Sequence, residues 1–252
     1  MYNPFSLEGK TILVTGASSG IGRQCAIDCS KMGATVILIA RNAGRLADTH
    51  SLLEGESHKL YQYDLLDIDG ISALMDKIIK ECGKVDGLVH AAGIERTLPM
   101  KFIKPKDWEE VYRVNCMAGF ELARLLGQKK YNNGSGRIVF VSSITAIVGR
   151  KGVAAYAASK GALISTVKTI ALEYANKGIT VNCISPGTVL TPMMESYLSA
   201  LSEDEREKRL DGFPLGIGQP ADISNACIYL LSDASRWITG QNLVVDGGYT
   251  IK

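Results

Sequence analysis

The chain has 252 residues, 46 % of them apolar, and 28 basic against 26 acidic residues leave a formal charge of +2. That supplies a sizeable core, while a near-neutral balance without blocks of about five or six like charges excludes an electrostatic footprint for nucleic acid or an anionic membrane. No run of about 18 apolar residues is present, so no spanning helix is expected. The opening Met1-Tyr2-Asn3-Pro4 lacks a basic-then-apolar signal pattern, and the expected location is cytoplasmic.

Short apolar runs alternate with amphipathic stretches. The first strand is Thr11-Ile12-Leu13-Val14, followed by glycine-rich residues and a helical pattern to about Met32. Thr35–Ala40 reads as a second strand, a polar helix is placed near Gly44–Leu53, and Lys59–Tyr63 fits a third strand. Helical spacing spans Asp67–Cys82 through Ile71, Leu74, Met75, Ile78 and Ile79, before a fourth strand at Gly87–His90. Two long helices are expected at Trp108–Lys130 and Ala154–Asn176, split by a strand at Arg137–Val141. Ser202–Arg209 mixes charge signs as a solvated helix face does. Thr180–Ile184 and Asn242–Val245 complete the strands.

Strands that are apolar at every position are buried on both faces, and strand–helix alternation implies right-handed crossovers. The expected fold class is α/β, a doubly wound parallel sheet with helices on both faces, in one domain covering residues 1–252. The cysteines Cys25, Cys29, Cys82, Cys116, Cys183 and Cys227 form no C-x-x-C pair, and His50, His58 and His90 are scattered. Reduced thiols and no metal site are expected.

Between the first strand and first helix lies Thr15-Gly16-Ala17-Ser18-Ser19-Gly20-Ile21-Gly22. Glycines there permit a tight turn and close backbone approach, and the helix start offers unpaired N–H groups to a pyrophosphate. At the first crossover of a doubly wound sheet this is a dinucleotide site. The second strand ends Ile39-Ala40-Arg41-Asn42, with no acid to grip a ribose 2′-hydroxyl. The Arg41 guanidinium suits a 2′-phosphate, with Arg45 a further contact, so NADP(H) is expected over NAD(H). Asp64, after the third strand, is placed to meet the adenine amine.

Ser143, Tyr156 and Lys160 follow the pattern S-x12-Y-x3-K. Tyr156 and Lys160, four apart on a helix, share a face. An ammonium beside a phenol favours the phenolate, and the phenol can equally donate its proton to a nascent alkoxide. Ser143 can hydrogen-bond a substrate carbonyl.

With these residues in place the chain resembles the short-chain dehydrogenase/reductase family over essentially its whole length, and within it 3-oxoacyl-carrier-protein reductases and similar sugar-alcohol or ketoacid dehydrogenases. The resemblance rests on Thr15–Gly22, Asp64-Leu65, Ala91-Ala92-Gly93, Asn115, Ser142-Ser143, Tyr156–Lys160, Pro186–Thr191 and Asp246-Gly247-Gly248. It implies a single Rossmann-type domain with seven parallel strands. It implies that Tyr156 is the acid/base, that Lys160 binds the nicotinamide ribose and tunes Tyr156, that Ser143 orients substrate and that Asn115 supports a relay water. The cofactor residues it implies are Gly16, Ser18, Ser19, Gly20, Ile21, Arg41, Asp64, Leu65, Ala91, Gly93, Tyr156, Lys160, Pro186, Gly187, Val189 and Thr191, with Pro186–Thr191 on the carboxamide. One departure is Ala91, where asparagine is usual. That removes a side-chain anchor for the turn.

The implied activity is hydride transfer between NADP(H) and a carbonyl or secondary alcohol. Gly134 and Leu172 stand where carrier-protein reductases keep two arginines, which counts against such a substrate, although Lys129, Lys130 and Arg137 lie nearby. The mouth is expected from Ile94-Glu95-Arg96, Ile144–Lys151 and the helix after Thr191 with Met193, Met194 and Tyr197, where Arg96, Arg150 and Lys151 could attract an anion. The alternative is a catalytically silent NADP-binding regulator or scaffold of the same fold, which need not keep Asn115, Ser143, Tyr156 and Lys160 together. An epimerase or dehydratase needs more chain for its substrate part. The resemblance further implies a homotetramer, or a homodimer, paired through the two long helices and the C-terminal strand.

Overall fold

The computed structural model describes residues 2–199 and 201–252. Seven strands form one all-parallel sheet: β1 Thr11–Thr15, β2 Thr35–Ala40, β3 Lys59–Gln62, β4 Gly87–His90, β5 Gly136–Val141, β6 Ile179–Pro186 and β7 Asn242–Val245. Their order is β3-β2-β1-β4-β5-β6-β7. The winding reverses between β1 and β4, so their carboxyl ends open a crevice suited to a dinucleotide.

Two apolar layers hold the sheet. On one side Leu13, Ile37, Leu88 and Phe140 pack under helices α3 (Ile71–Cys82), α5 (Ala118–Leu126) and α6 (Ala154–Tyr174). On the other, Ile12, Val14, Val36, Leu38, Val89 and Val139 meet α1 (Gly20–Lys31), α2 (Ala43–His50) and α9 (Pro220–Leu231). Successive strand residues therefore enter opposite cores, which is why the central strands are apolar at every position. Edge strand β3 buries only Tyr61.

Several helix limits differ from the sequence expectation. The segment Asp67–Gly70 is a turn in which the Gly70 N–H donates to Asp67 Oδ1 at 3.1 Å, and α3 begins only at Ile71. The expected Trp108–Lys130 helix starts earlier and is interrupted. Helix α4 runs Pro105–Tyr112, because Pro105 suits a first helical position and Asp107 Oδ2 accepts the Lys104 N–H at 2.9 Å. Arg113–Met117 then forms a π turn before α5. Helix α5 stops at Leu126 because Asn132 Nδ2 donates to the Leu126 and Gln128 carbonyls, at 2.6 and 2.9 Å. Helix α6 ends at Tyr174, with a short 3₁₀ turn Ala175–Lys177 after it.

Helix α9 was not among the sequence expectations. It packs on α1, where Asp28 accepts from Ser224 Oγ and from Gln24 Nε2. All six cysteines are unpaired thiols, five of them buried. Helices α7 (Pro192–Ser199) and α8 (Glu203–Leu210) rise beyond β6, α8 carrying the mixed charges expected of a solvated face. Among the described residues no helix is long and apolar enough to cross a membrane.

Candidate active site

A cleft of about 910 Å³ opens over the carboxyl ends of the strands. One end is formed by the turn after β1. Gly16 adopts φ +67°, and a Cβ there would lie 2.8 Å from the Ala92 nitrogen. A Cβ on Gly22 would overlap the Gly16 carbonyl oxygen. Glycine is thus required for the β1–α1 turn to close onto the β4 turn. Ser19 caps α1 in extended geometry without a side-chain hydrogen bond to the helix. Ser18, Ser19, Gly20, Ile21 and Gly22 line the cleft at the positive end of the α1 dipole, a natural seat for a pyrophosphate.

The cavity continues past Ala40, Arg41, Asn42 and Arg45 at one side and Tyr63, Asp64 and Leu65 at the other. Asn42 Oδ1 accepts the Arg45 N–H at 2.9 Å, so the end of β2 turns directly into α2 and leaves the Arg41 side chain exposed at the rim. Asp64 Oδ1 accepts the Leu66 N–H at 3.1 Å, which orders the turn after β3. Ala91, Gly93, Pro186, Gly187, Val189 and Thr191 line the middle of the same cavity. Two gaps there are glycine-shaped. A Cβ on Gly20 would sit 3.2 Å from Thr191 Cγ2, and one on Gly93 3.3 Å from Lys160 Nζ. A long phosphorylated ligand fits this cradle: backbone donors at one end, a cationic rim beside it, and a narrow slot between β4 and β6.

The β4 turn, with Ala91 at its start, is held from β1. The buried Thr15 hydroxyl accepts the Ala92 N–H at 3.2 Å and lies 3.0 Å from His90 Nδ1. Burial and the Lys160 charge push His90 down to about 3, so the ring is neutral and can accept the threonine proton.

At the far end of the cleft stand Ser143, Tyr156 and Lys160. Ser143 lies just beyond β5 and caps the 3₁₀ turn Ile144–Ala146, accepting from the Thr145 N–H at 3.2 Å and Thr145 Oγ1 at 3.0 Å. Lys160, 3 % exposed, donates from Nζ to the Val141 carbonyl at 2.8 Å, and Nζ is 5.5 Å from the centre of the Tyr156 ring. Burial pushes Lys160 down to about 8. Burial, with the Glu95 charge adding to it, pushes Tyr156 up to about 12, against the pull of the Ser143 hydroxyl and Arg150. The sequence expectation that Lys160 depresses the tyrosine is therefore corrected for the chain alone. Desolvation of the phenolate dominates, and the Lys160 ammonium is directed at the Val141 carbonyl.

Asn115 lies behind the wall of the cleft, not on it, and is fully buried. The π turn aims its amide at the loop after β4: Oδ1 accepts the Ile94 N–H at 2.8 Å, and Nδ2 donates to the Ile94 carbonyl at 3.1 Å and Ser159 Oγ at 2.9 Å. Ser159 Oγ in turn donates to the Tyr156 carbonyl at 2.7 Å, and Ser142 Oγ to the Lys160 carbonyl at 2.8 Å. Residue type alone singled out neither hydroxyl as a support of α6.

Of the expected mouth residues, Ile94, Glu95, Ile144, Thr145, Val148, Gly149, Arg150, Met194 and Tyr197 line the cleft. The Met193 side chain lies outside the described residues. Arg96 is directed away from the cleft to Glu110 at 2.7 Å, and Lys151 is off the cleft wall. Arg150 pairs with Glu95, so the expected attraction of an anion by free cations is not what the mouth presents. Lys130 and Arg137, considered for an acidic partner, pair with Asp76 and Asp233.

A family model described as enoyl-(acyl carrier protein) reductase matches residues 16–250. The chain is 37 % identical over 248 residues to the 3-oxoacyl-acyl-carrier-protein reductase FabG of Thermotoga maritima, covering 97 % of this chain and 99 % of that one. Among solved structures it is similar to a Beutenbergia cavernae protein assigned as an NAD(P)-dependent gluconate 5-dehydrogenase, with NADP bound at low occupancy: TM-score 0.91, 35 % identity, 99 % and 100 % of the two chains covered. It is similar, too, to a 7α-hydroxysteroid dehydrogenase complexed with NADH and 7-oxo glycochenodeoxycholic acid: TM-score 0.90, 33 % identity, 98 % of each chain covered. With the glycine cradle and the Rossmann strand order described above, these likenesses make the chain a member of the short-chain dehydrogenase/reductase family of oxidoreductases.

Proposed function

We propose that residues 1–252 act as one catalytic domain that reduces a carbonyl to a secondary alcohol, or the reverse, with NADP(H) preferred over NAD(H). The observation that carries this reading is the single cleft joining the open N-terminus of α1 to the paired hydroxyls of Ser143 and Tyr156. When bound, the reduced cofactor supplies the hydride. Gly16, Ser18, Ser19, Gly20 and Ile21 would hold the pyrophosphate, Arg41 the 2′-phosphate, and Asp64 and Leu65 the adenine. Ala91, Gly93, Lys160, Pro186, Gly187, Val189 and Thr191 would hold the nicotinamide half.

The chain's own residues manage the proton. Ser143 Oγ hydrogen-bonds the carbonyl oxygen and fixes its position beside the Tyr156 hydroxyl. A phenol with its pKa at about 12 is protonated at neutral pH and can donate to the alkoxide as the carbonyl carbon gains hydride. In the oxidative direction Tyr156 must first lose that proton, and a positive charge nearby lowers its cost. Asn115 and Ser159 act as positioning residues, fixing the loop after β4 and the start of α6.

NADP preference rests on the exposed Arg41 and the absence of an acid at the end of β2. A homotetramer in the cytoplasm completes the proposal, supported by exposed Leu172 on α6 and Trp237 and Leu243 around β7. The test is to follow nicotinamide absorbance over ketones, keto sugars, keto acids and oxoacyl thioesters with each cofactor. A lower KM for NADPH than for NADH, with turnover of at least one carbonyl, is expected. A clear preference for NADH removes the role given to Arg41, and no turnover with either cofactor removes the enzymatic reading.

A further inference from the structure

The substrate end of the cleft carries an ion pair outside the catalytic set. Glu95 follows the β4 turn and Arg150 follows the Ile144–Ala146 turn, 55 residues apart in the chain. Their side chains are 17 % and 18 % exposed and in direct contact. The Leu98 N–H donates to the Gly152 carbonyl at 2.7 Å and so joins the two loops, while within the first loop Thr97 Oγ1 donates to Glu95 Oε1 at 2.9 Å. Tyr197 of α7 covers the guanidinium, its ring centre 5.7 Å from Cζ. The pair also lies near enough to Tyr156 for both charges to act on the phenol.

These contacts limit what the pair can recognise. The oxygen of Glu95 that meets Arg150 and Thr97 is engaged. Among the described residues no hydrogen bond involves the other oxygen, nor the remaining N–H groups of Arg150. A free guanidinium would grip a carboxylate through two parallel bonds, but this one is already neutralised. A substrate carboxylate reaching the remaining N–H groups of Arg150 would sit beside the Glu95 carboxylate, like charge against like charge. An acyl chain would cover the pair with methylenes, stripping water from both ions without replacing its hydrogen bonds. A hydroxyl group can donate to the free Glu95 oxygen, and its neighbour can accept from Arg150.

Resting on the oxidoreductase reading above, we infer that the Glu95–Arg150 pair selects a neutral carbonyl substrate bearing adjacent hydroxyl groups, of the keto sugar and polyol class. Hydride passes from the reduced cofactor to the carbonyl carbon, and the Tyr156 proton passes to its oxygen. The carbonyl becomes a secondary alcohol and the cofactor is oxidised. The pair binds the hydroxyls; its charges act on the Tyr156 phenol alike for every probe, so a ratio of kcat/KM values isolates recognition.

The experiment measures kcat/KM with NADPH for three probes: erythrulose, a keto-aldonic acid, and acetoacetyl-N-acetylcysteamine. The wild-type chain is expected to prefer erythrulose over the keto acid by at least about tenfold, the size of one hydrogen bond to a charged group. In Glu95→Gln the guanidinium is released, and that ratio is expected to fall by about tenfold or to invert, chiefly through KM. Arg150→Gln is expected to weaken erythrulose binding without improving the keto acid. A wild-type preference for the keto acid or the thioester overturns the inference while leaving the oxidoreductase reading intact. An unchanged ratio in a folded, NADPH-binding Glu95→Gln overturns it equally. No turnover of any probe, or of any simple ketone, with either cofactor overturns both. The wild-type comparison needs no variant, so it holds even where a substitution fails to fold.

Discussion

Replacing Lys160 by methionine keeps most of the side-chain volume and removes the buried charge. Lys160 is 3 % exposed, and burial lowers it from 10.5 to about 8. Below about 8 both folded and unfolded chains carry the proton, and the folded state bears a constant penalty. Between about 8 and 10.5 the unfolded chain keeps a proton that the folded chain has lost, so stability rises with pH. The separation corresponds to about 3 kcal/mol at neutral pH, of which about 2 kcal/mol is recovered by about pH 9.5. Methionine abolishes this contribution and also leaves the Val141 carbonyl without its donor, a pH-independent loss of about 1 kcal/mol. Urea unfolding of both proteins at a series of pH values gives the difference curve. Cys116 and Cys183, each pushed up to about 12 by burial, stay protonated across this window. The expected result is that wild type gains about 2 kcal/mol on the variant between about pH 7.5 and 9.5. Parallel stability curves would refute the buried, strained charge at this position.

Gly22→Ala is expected to cost roughly 1–3 kcal/mol and to weaken NADPH binding at least tenfold, since its Cβ would overlap the Gly16 carbonyl; fluorescence titration measures the affinity, and unaltered binding would contradict the cradle. Asn115→Ala removes three hydrogen bonds from a fully buried side chain and is expected to lower stability by roughly 2–4 kcal/mol, with a fall in kcat, both readable by urea midpoint and steady-state rates. Because Tyr156 is raised to about 12, alcohol oxidation is expected to accelerate with rising pH, while carbonyl reduction stays level through neutral pH and declines only in alkali. Oxidation that slows from pH 7 upward would oppose that assignment.

The central strands were legible because both their faces are buried, so Ile12-Leu13-Val14 and Val36–Ile39 are apolar without a break. The glycine turn and the Tyr156–Lys160 spacing were legible because backbone φ and helical period are local properties. Features that depend on distant chain were not. Nothing in composition marks the π turn at Arg113–Met117, a single turn between two helical stretches. Helix α9 buries Ile223, Ser224, Cys227, Ile228, Leu230 and Leu231 on one face, but Ala226 and Tyr229 beside it are apolar too and weaken the contrast between its faces. The Glu95–Arg150 pairing joins loops that only the β4–β5 adjacency brings together. Burial decides the sign at Tyr156: the residue spacing pointed to a lowered phenol, and desolvation at the wall of the cleft raises it.

Single-turnover reduction by Tyr156→Phe, with NADPH affinity measured on the same sample, isolates the proton donor from the rest of the cleft. The phenyl ring keeps the shape beside Lys160 and removes only the hydroxyl. The expected rate falls by roughly a hundredfold to ten-thousandfold, the range of a positioned general acid, with NADPH affinity within a few-fold of wild type. A variant that retains most of its single-turnover rate would contradict the assignment of Tyr156 as the group that protonates the substrate oxygen.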